Sequence, residues 1–127
     1  MSTTETGTQR PPTNRSFAIS HHTLSTMDVN VVSDGCDAVA TLAGEADMSN
    51  AEQFAALITG TLAGCQTVRI DIAGLTFLDS SMLRALLICQ AQLTASGSDV
   101  KVCRPTPQAR QIFELTSLTS LLDEPHA

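Results

Sequence analysis

The chain has 127 residues, of which 43% are hydrophobic and 3% aromatic, and its 7 basic and 13 acidic residues give a net charge of −6. This length fits one domain with one core. The acidic balance argues against nucleic-acid binding and against docking on an anionic membrane, because both need basic patches. With no apolar run of roughly 20 residues and no secretory signal, a cytoplasmic protein is expected.

Motifs for catalysis or metal binding are not evident. The four cysteines form no C-x-x-C pair, which argues against zinc and favours reduced, mostly buried thiols, with a redox pair as the alternative. Glycine-rich phosphate loops are missing. A Ser–His–Asp triad is disfavoured because the three histidines lie near the termini. We therefore expect that the protein is not an enzyme and binds no metal or cofactor. The cysteines and histidines considered are Cys36, Cys65, Cys89, Cys103, His21, His22 and His126.

Two regions are predicted along the chain, a disordered polar tail over residues 1–25 and a domain over 26–127. The tail is rich in Ser, Thr and Pro and too poor in apolar residues to order itself. Alternating apolar residues at 27–31 and 38–43 predict two strands of a hairpin. A capping box at 49–52 predicts the start of a helix that ends near Gly64.

The second half of the chain alternates strands and helices. Strands are predicted at 68–72 and 100–102, with a helix from 80 to about 96 closed by Gly97. Thr106 and Pro107 predict the start of a last helix, and 118–122 a final short strand. The order ββαβαβα predicts an α/β fold, a mixed sheet of four to five strands with helices packed on it.

The sequence Asp79-Ser80-Ser81 at the start of the second predicted helix is a candidate site. Free N–H groups and the helix dipole favour negative charge there. A serine at this point either caps the helix or accepts a phosphate, and the local pattern fits both. The helix carries a core stripe (Leu83, Leu86, Leu87 and Leu93) and a second apolar stripe, which is either a partner surface or a buried face (Met82, Ala85 and Cys89).

Three segments carry a resemblance to a known family. The region from Val68 to Arg84 resembles the signature of STAS-domain anti-sigma factor antagonists, in which Asp-Ser-Ser or Asp-Ser-Thr is followed by Gly-Leu. Residues 44–47 are similar to the family's Gly-Glu-Leu-Asp turn, and residues 100–103 and 111–118 resemble its later strand and helix. The resemblance spans about residues 26–122, with Met82 in place of the usual glycine.

This resemblance implies a STAS fold and a non-catalytic, partner-switching regulator of transcription, of the kind used in stress responses. Its unphosphorylated form would bind an anti-sigma factor and release a sigma factor. The anti-sigma factor, itself a serine kinase, would phosphorylate Ser80 (alternatively Ser81), and a phosphoserine phosphatase would reset the switch. An alternative is an unphosphorylated STAS subunit of a membrane lipid ABC transport complex. The implied partner-binding residues are Asp47, Asp79, Ser80, Ser81 and Met82.

Overall fold

The computed structural model describes residues 17–123. In chain order, the strands and helices are β1 (Ala18–Leu24), β2 (Met27–Ser33), β3 (Asp37–Ala46), α1 (Ala51–Leu62), β4 (Thr67–Leu78), α2 (Ser80–Ala95), β5 (Asp99–Cys103) and α3 (Pro107–Leu115), followed by a 3-10 turn at Thr119–Leu121. None of the helices within residues 17–123 has the length and apolar character needed to cross a bilayer.

The five strands form one mixed sheet in the order β1-β2-β3-β4-β5. The first three strands pair antiparallel, and β3 pairs parallel with β4, as β4 does with β5. This arrangement confirms the predicted α/β class and the mixed sheet. The parallel half of the sheet requires crossovers, and α1 and α2 provide them.

Both crossover helices cover the same face of the sheet. Crossovers between parallel strands are right-handed, and the sheet grows in one direction from β3 through β4 to β5, so α1 and α2 fall on one side. Their buried residues join the cluster formed by the inward residues of the strands. Neighbouring strands contribute register partners to this face, such as Val29 opposite Leu42 and Ile70 opposite Val102.

The strand β1 corrects the predicted boundary of the N-terminal tail. Seven residues placed in the tail pair with β2 in continuous antiparallel register, from Ala18 opposite Ser33 to Leu24 opposite Met27. An edge strand is stabilised by its backbone hydrogen bonds and needs few buried side chains, so a polar sequence suffices. His21 and His22 therefore lie in a strand. The predicted tail over residues 1–16 lies outside the described residues.

The predicted final strand at 118–122 is instead a 3-10 turn with one isolated bridge, between Val102 and Leu122. The apolar residues at 118, 121 and 122 have the spacing of a helical turn rather than the alternation of a strand. The predicted start of α3 is confirmed, because the side chain of Thr106 accepts a hydrogen bond from the N–H of Ala109 and Pro107 follows it.

Candidate functional site

The candidate site lies where the parallel strands β3 and β4 end side by side. Ala46 and Leu78 are register partners, and the N–H of Asp79 donates to the carbonyl of Ala46 at 3.2 Å. Asp47 and Asp79 are the next residues along their chains, so both loops begin at the same edge of the sheet. The topology thus brings together the two predicted motifs, residues 44–47 and 79–81.

Gly44 lets the first of these motifs approach the neighbouring β1–β2 turn. Its φ is +105°, and a Cβ atom there would collide with the backbone carbonyl of Thr26. The same carbonyl accepts a hydrogen bond of 3.0 Å from the N–H of Glu45. Glycine is needed at this position because other residues avoid this φ and have no room for a side chain.

Asp79, rather than a serine, caps helix α2. Its Oδ1 accepts hydrogen bonds from the N–H groups of Ser81, at 2.9 Å, and Met82, at 3.2 Å. A capping carboxylate accepts hydrogen bonds from N–H groups that would otherwise have no partner. Its negative charge is also stabilised by the positive end of the helix dipole. Of the two roles that the sequence left open for the serines, capping is therefore performed by their neighbour.

Ser80 is exposed at the first position of α2, and Ser81 is half-buried. The hydroxyl of Ser80 has no hydrogen-bond partner among residues 17–123. A serine whose hydroxyl is unbonded and exposed can enter a kinase active site without breaking an interaction of the fold. The hydroxyl of Ser81 also has no hydrogen-bond partner among residues 17–123, so the two serines differ in their exposure, which is greater for Ser80.

The second apolar stripe of α2 is buried, so its interpretation as a partner surface is wrong. Met82 and Cys89 are 0% exposed and Ala85 is nearly so. Met82 belongs to the core, which also removes it from the predicted partner contacts. The core stripe is confirmed at Leu83, Leu86 and Leu93, but Leu87 is 36% exposed.

Asp47 organises the loop between β3 and α1. Its Oδ1 accepts hydrogen bonds from the hydroxyl of Ser49 at 2.6 Å and from the N–H of Ser49 at 2.9 Å. These hydrogen bonds lower the pKa of Asp47, the one from the Ser49 hydroxyl contributing most. The carboxylate is therefore ionised at neutral pH. Because the hydroxyl of Ser49 donates to Asp47 instead of capping the helix, the predicted capping box does not form. The residue that precedes α1 is Asn50.

Asn50 is a site residue that the sequence reasoning missed. It is only 1% exposed and connects three parts of the chain. Its amide nitrogen donates to the carbonyls of Leu24, at 3.1 Å, and Glu45, at 2.9 Å. Its Oδ1 accepts a hydrogen bond of 3.1 Å from the N–H of Asp47. A polar side chain between a strand and a helix was the available signal, but its partners are fixed only by the tertiary structure.

Replacement of Asn50 by alanine is expected to destabilise the domain by about 2–4 kcal/mol, since three part-buried backbone groups each lose the hydrogen bond that the buried Asn50 side chain makes to them. Urea unfolding followed by circular dichroism would measure the loss. Ser49→Ala, which removes an exposed hydroxyl, is the control and should change the free energy of unfolding far less. A wild-type unfolding midpoint for Asn50→Ala would contradict this role.

A groove between α1 and α2 opens beside the two serines. It encloses about 480 Å³ and is lined by residues of both helices and the preceding loop: Met48, Ala51, Glu52, Ala55, Ser81, Arg84, Ala85 and Ile88. Met48 is 80% exposed at its rim. Small alanines form the floor, and Glu52 and Arg84 place one charge of each sign at its sides. The groove is therefore a mainly apolar concavity next to Ser81.

The four cysteines are free. Cys65 and Cys89 are buried, and burial raises the pKa of Cys89 to about 12. A thiol with this pKa stays protonated at neutral pH and reacts poorly. Within residues 17–123, no group of three or more His, Cys, Asp or Glu side chains is placed to hold a metal ion.

Comparisons with known proteins agree with this architecture. The candidate anti-sigma factor antagonist BtrV of Bordetella bronchiseptica is 29% identical over 84 residues, which are 65% of this chain and 72% of BtrV. The unphosphorylated anti-sigma factor antagonist SpoIIAA has a TM-score of 0.64 at 22% identity, covering 86% of this chain and 89% of SpoIIAA. The phosphorylated form of SpoIIAA, a Bacillus cell fate determinant, has a TM-score of 0.59 at 22% identity, covering 86% and 92%.

The similarity to SpoIIAA shows that the two chains share a fold. A family model described as "Mlab, STAS domain" matches residues 29–123, which include the strand ends, both loops and all three helices. This chain therefore belongs to the STAS domain family.

Proposed function

We propose that this protein is an anti-sigma factor antagonist whose binding is controlled by phosphorylation of Ser80. The observation that carries the proposal is the exposed hydroxyl of Ser80, unbonded within residues 17–123, at the sheet edge where the two carboxylates that follow β3 and β4 lie. The similarity to BtrV and SpoIIAA supports the same class of function.

In the proposed cycle, the unphosphorylated form binds an anti-sigma factor and thereby releases a sigma factor. The anti-sigma factor acts as a serine kinase, transferring the γ-phosphoryl group of ATP to Ser80 Oγ and releasing ADP and the hydroxyl proton. A phosphoserine phosphatase hydrolyses the ester and restores the binding form. The protein itself contributes the acceptor and the docking surface, and no catalytic group.

The charge around Ser80 explains why phosphorylation would end binding. A phosphoserine carries about −1.5 to −2 charges at neutral pH. The N–H groups of Ser81 and Met82 already bind the carboxylate of Asp79, so they do not stabilise an added phosphate. Removing such a group from water in an interface costs several kcal/mol unless it is paired.

The proposed switch is local and needs no refolding. Ser80 projects from the first turn of a helix that is held by a buried face and by the Asp79 cap. A phosphate on its hydroxyl would extend into solvent and displace no hydrogen bond of the described fold. SpoIIAA has been solved in its unphosphorylated and phosphorylated forms, and this chain matches the fold of both.

The decisive experiment incubates the protein with the kinase-type anti-sigma factor encoded in the same genome and ATP, followed by mass spectrometry. We expect one phosphate on Ser80 in the wild type and none in Ser80→Ala. Ser81→Ala, the matched variant at the half-buried neighbour, should still be phosphorylated. Absence of phosphate in the wild type, with co-purification of a membrane transport ATPase, would favour the STAS subunit of a lipid ABC complex instead.

A further inference from the structure

Arg84 differs from the other basic residues of the described chain. Arg69 pairs with Asp99 and Asp123, and Arg104 with Asp71. Lys101 donates to the carbonyl of Ser120, and Arg110 also has an interaction partner. Arg84 is exposed, and its side chain makes no ion pair or hydrogen bond with any of residues 17–123. Its charge is therefore available to a group that is added to the surface.

The position of Arg84 relative to Ser80 suits an ion pair. The two residues are four apart in α2, so they are neighbours on its surface, with Cβ atoms about 5–6 Å apart. An acidic group that precedes a basic one by four residues has the better of the two orientations. The guanidinium fork also matches the geometry of phosphate oxygens.

We propose that Arg84 is the counter-ion of a phosphate on Ser80, joined to it by an ion pair along the first turn of α2. This inference rests on the proposed role of Ser80 as the phosphoacceptor. It goes further by assigning the phosphate a binding partner within the chain. Arg84 would fill the role that the N–H groups of Ser81 and Met82 cannot, because those groups already donate to Asp79.

Acidic groups around the pair limit how far Arg84 can neutralise the phosphate. Asp79 caps the same helix, and Asp47 follows the adjacent strand. Glu52 lines the same groove as Arg84 and forms no ion pair with it. The phosphate therefore gains an orienting partner while the surroundings of Ser80 stay negative. The ion pair would also draw the guanidinium from the side of the groove, changing both the charge and the shape that a partner meets.

The test uses full-length protein with phosphoserine installed at position 80 during translation, so that it needs no kinase. Phosphorus NMR would follow the second ionisation of the phosphate, whose pKa is ordinarily about 6. A paired cation favours the dianion, so we expect this pKa to be about 0.3–0.5 pH units lower in the wild type than in Arg84→Gln. The difference should shrink in 0.5 M salt, because a surface ion pair is screened.

Two controls isolate the local effect. Arg84→Lys should retain most of the shift. Lys101→Gln removes the same charge on β5, opposite Arg69 near the start of β4 and 11 residues, or about 36 Å at 3.3 Å per residue, from Ser80, and should leave the phosphate pKa within about 0.1 unit of wild type. Equal pKa values in wild type and Arg84→Gln would overturn the ion pair. That result would leave the phosphoacceptor role of Ser80 standing, since the kinase experiment tests it separately.

Discussion

Replacement of Ser80 by aspartate is expected to weaken binding to the anti-sigma factor at least about 100-fold, or about 2.8 kcal/mol. The new carboxylate would lie beside Asp79 and would lose its hydration when the partner docks. The fold should not suffer, because an acidic side chain in the first helical turn is favoured by the helix dipole. Isothermal titration calorimetry would give the affinity, and thermal unfolding would give the stability.

Two variants separate the local charge from other effects. Ser80→Ala removes a hydroxyl that has no hydrogen-bond partner within residues 17–123. It should bind within about twofold of wild type, a free-energy change under about 0.5 kcal/mol. Gln92→Glu adds a negative charge on the exposed surface of the same helix, about 18 Å from Ser80 at 1.5 Å per residue, and should also bind normally. Full affinity of Ser80→Asp would contradict the proposed switch. An equal loss in Gln92→Glu would attribute the effect to net charge.

Local patterns in the sequence predict most of the parallel half of the fold. Alternating residues along β3 and β4 mark the buried face, and Gly97 and Thr106 mark where one helix ends and the next begins. These signals work because each depends on residues close together in the chain. The two site motifs were found in the sequence through the family resemblance. Their proximity follows from the fold, because Asp47 and Asp79 directly follow parallel strands that end at a common edge of the sheet.

Features that depend on distant residues were not predictable in this way. β1 is defined by its backbone ladder with β2, which leaves no apolar alternation to detect. Asn50 donates hydrogen bonds to Leu24, which is 26 residues away in the chain, and to Glu45, which lies in β3. Whether the second stripe of α2 faced a partner or the core depended on how α2 packs, and the sequence fitted both. Local reasoning assigns the elements, whereas packing decides which faces remain available for function.

Met82 illustrates this point, since the family's usual glycine is replaced here by a side chain that is 0% exposed. Its position in the third residue of α2 turns it into the core beneath the site. An aspartate there would be buried in one of two forms. It would be either an unpaired charge or a protonated carboxyl group that lacks the apolar contacts of methionine. Met82→Asp is therefore expected to destabilise the domain by at least about 4 kcal/mol, a large part of a typical stability of about 5–15 kcal/mol.

Met48→Asp provides the matched comparison, because this methionine is 80% exposed at the rim of the groove. We expect its free energy of unfolding to stay within about 0.5 kcal/mol of wild type, while its affinity for the anti-sigma factor falls at least about tenfold. Met82→Leu conserves volume and should cost less than about 1.5 kcal/mol. Urea unfolding and calorimetry on the three variants would separate core from surface. Wild-type stability of Met82→Asp would contradict its burial, and wild-type binding of Met48→Asp would place the groove outside the interface.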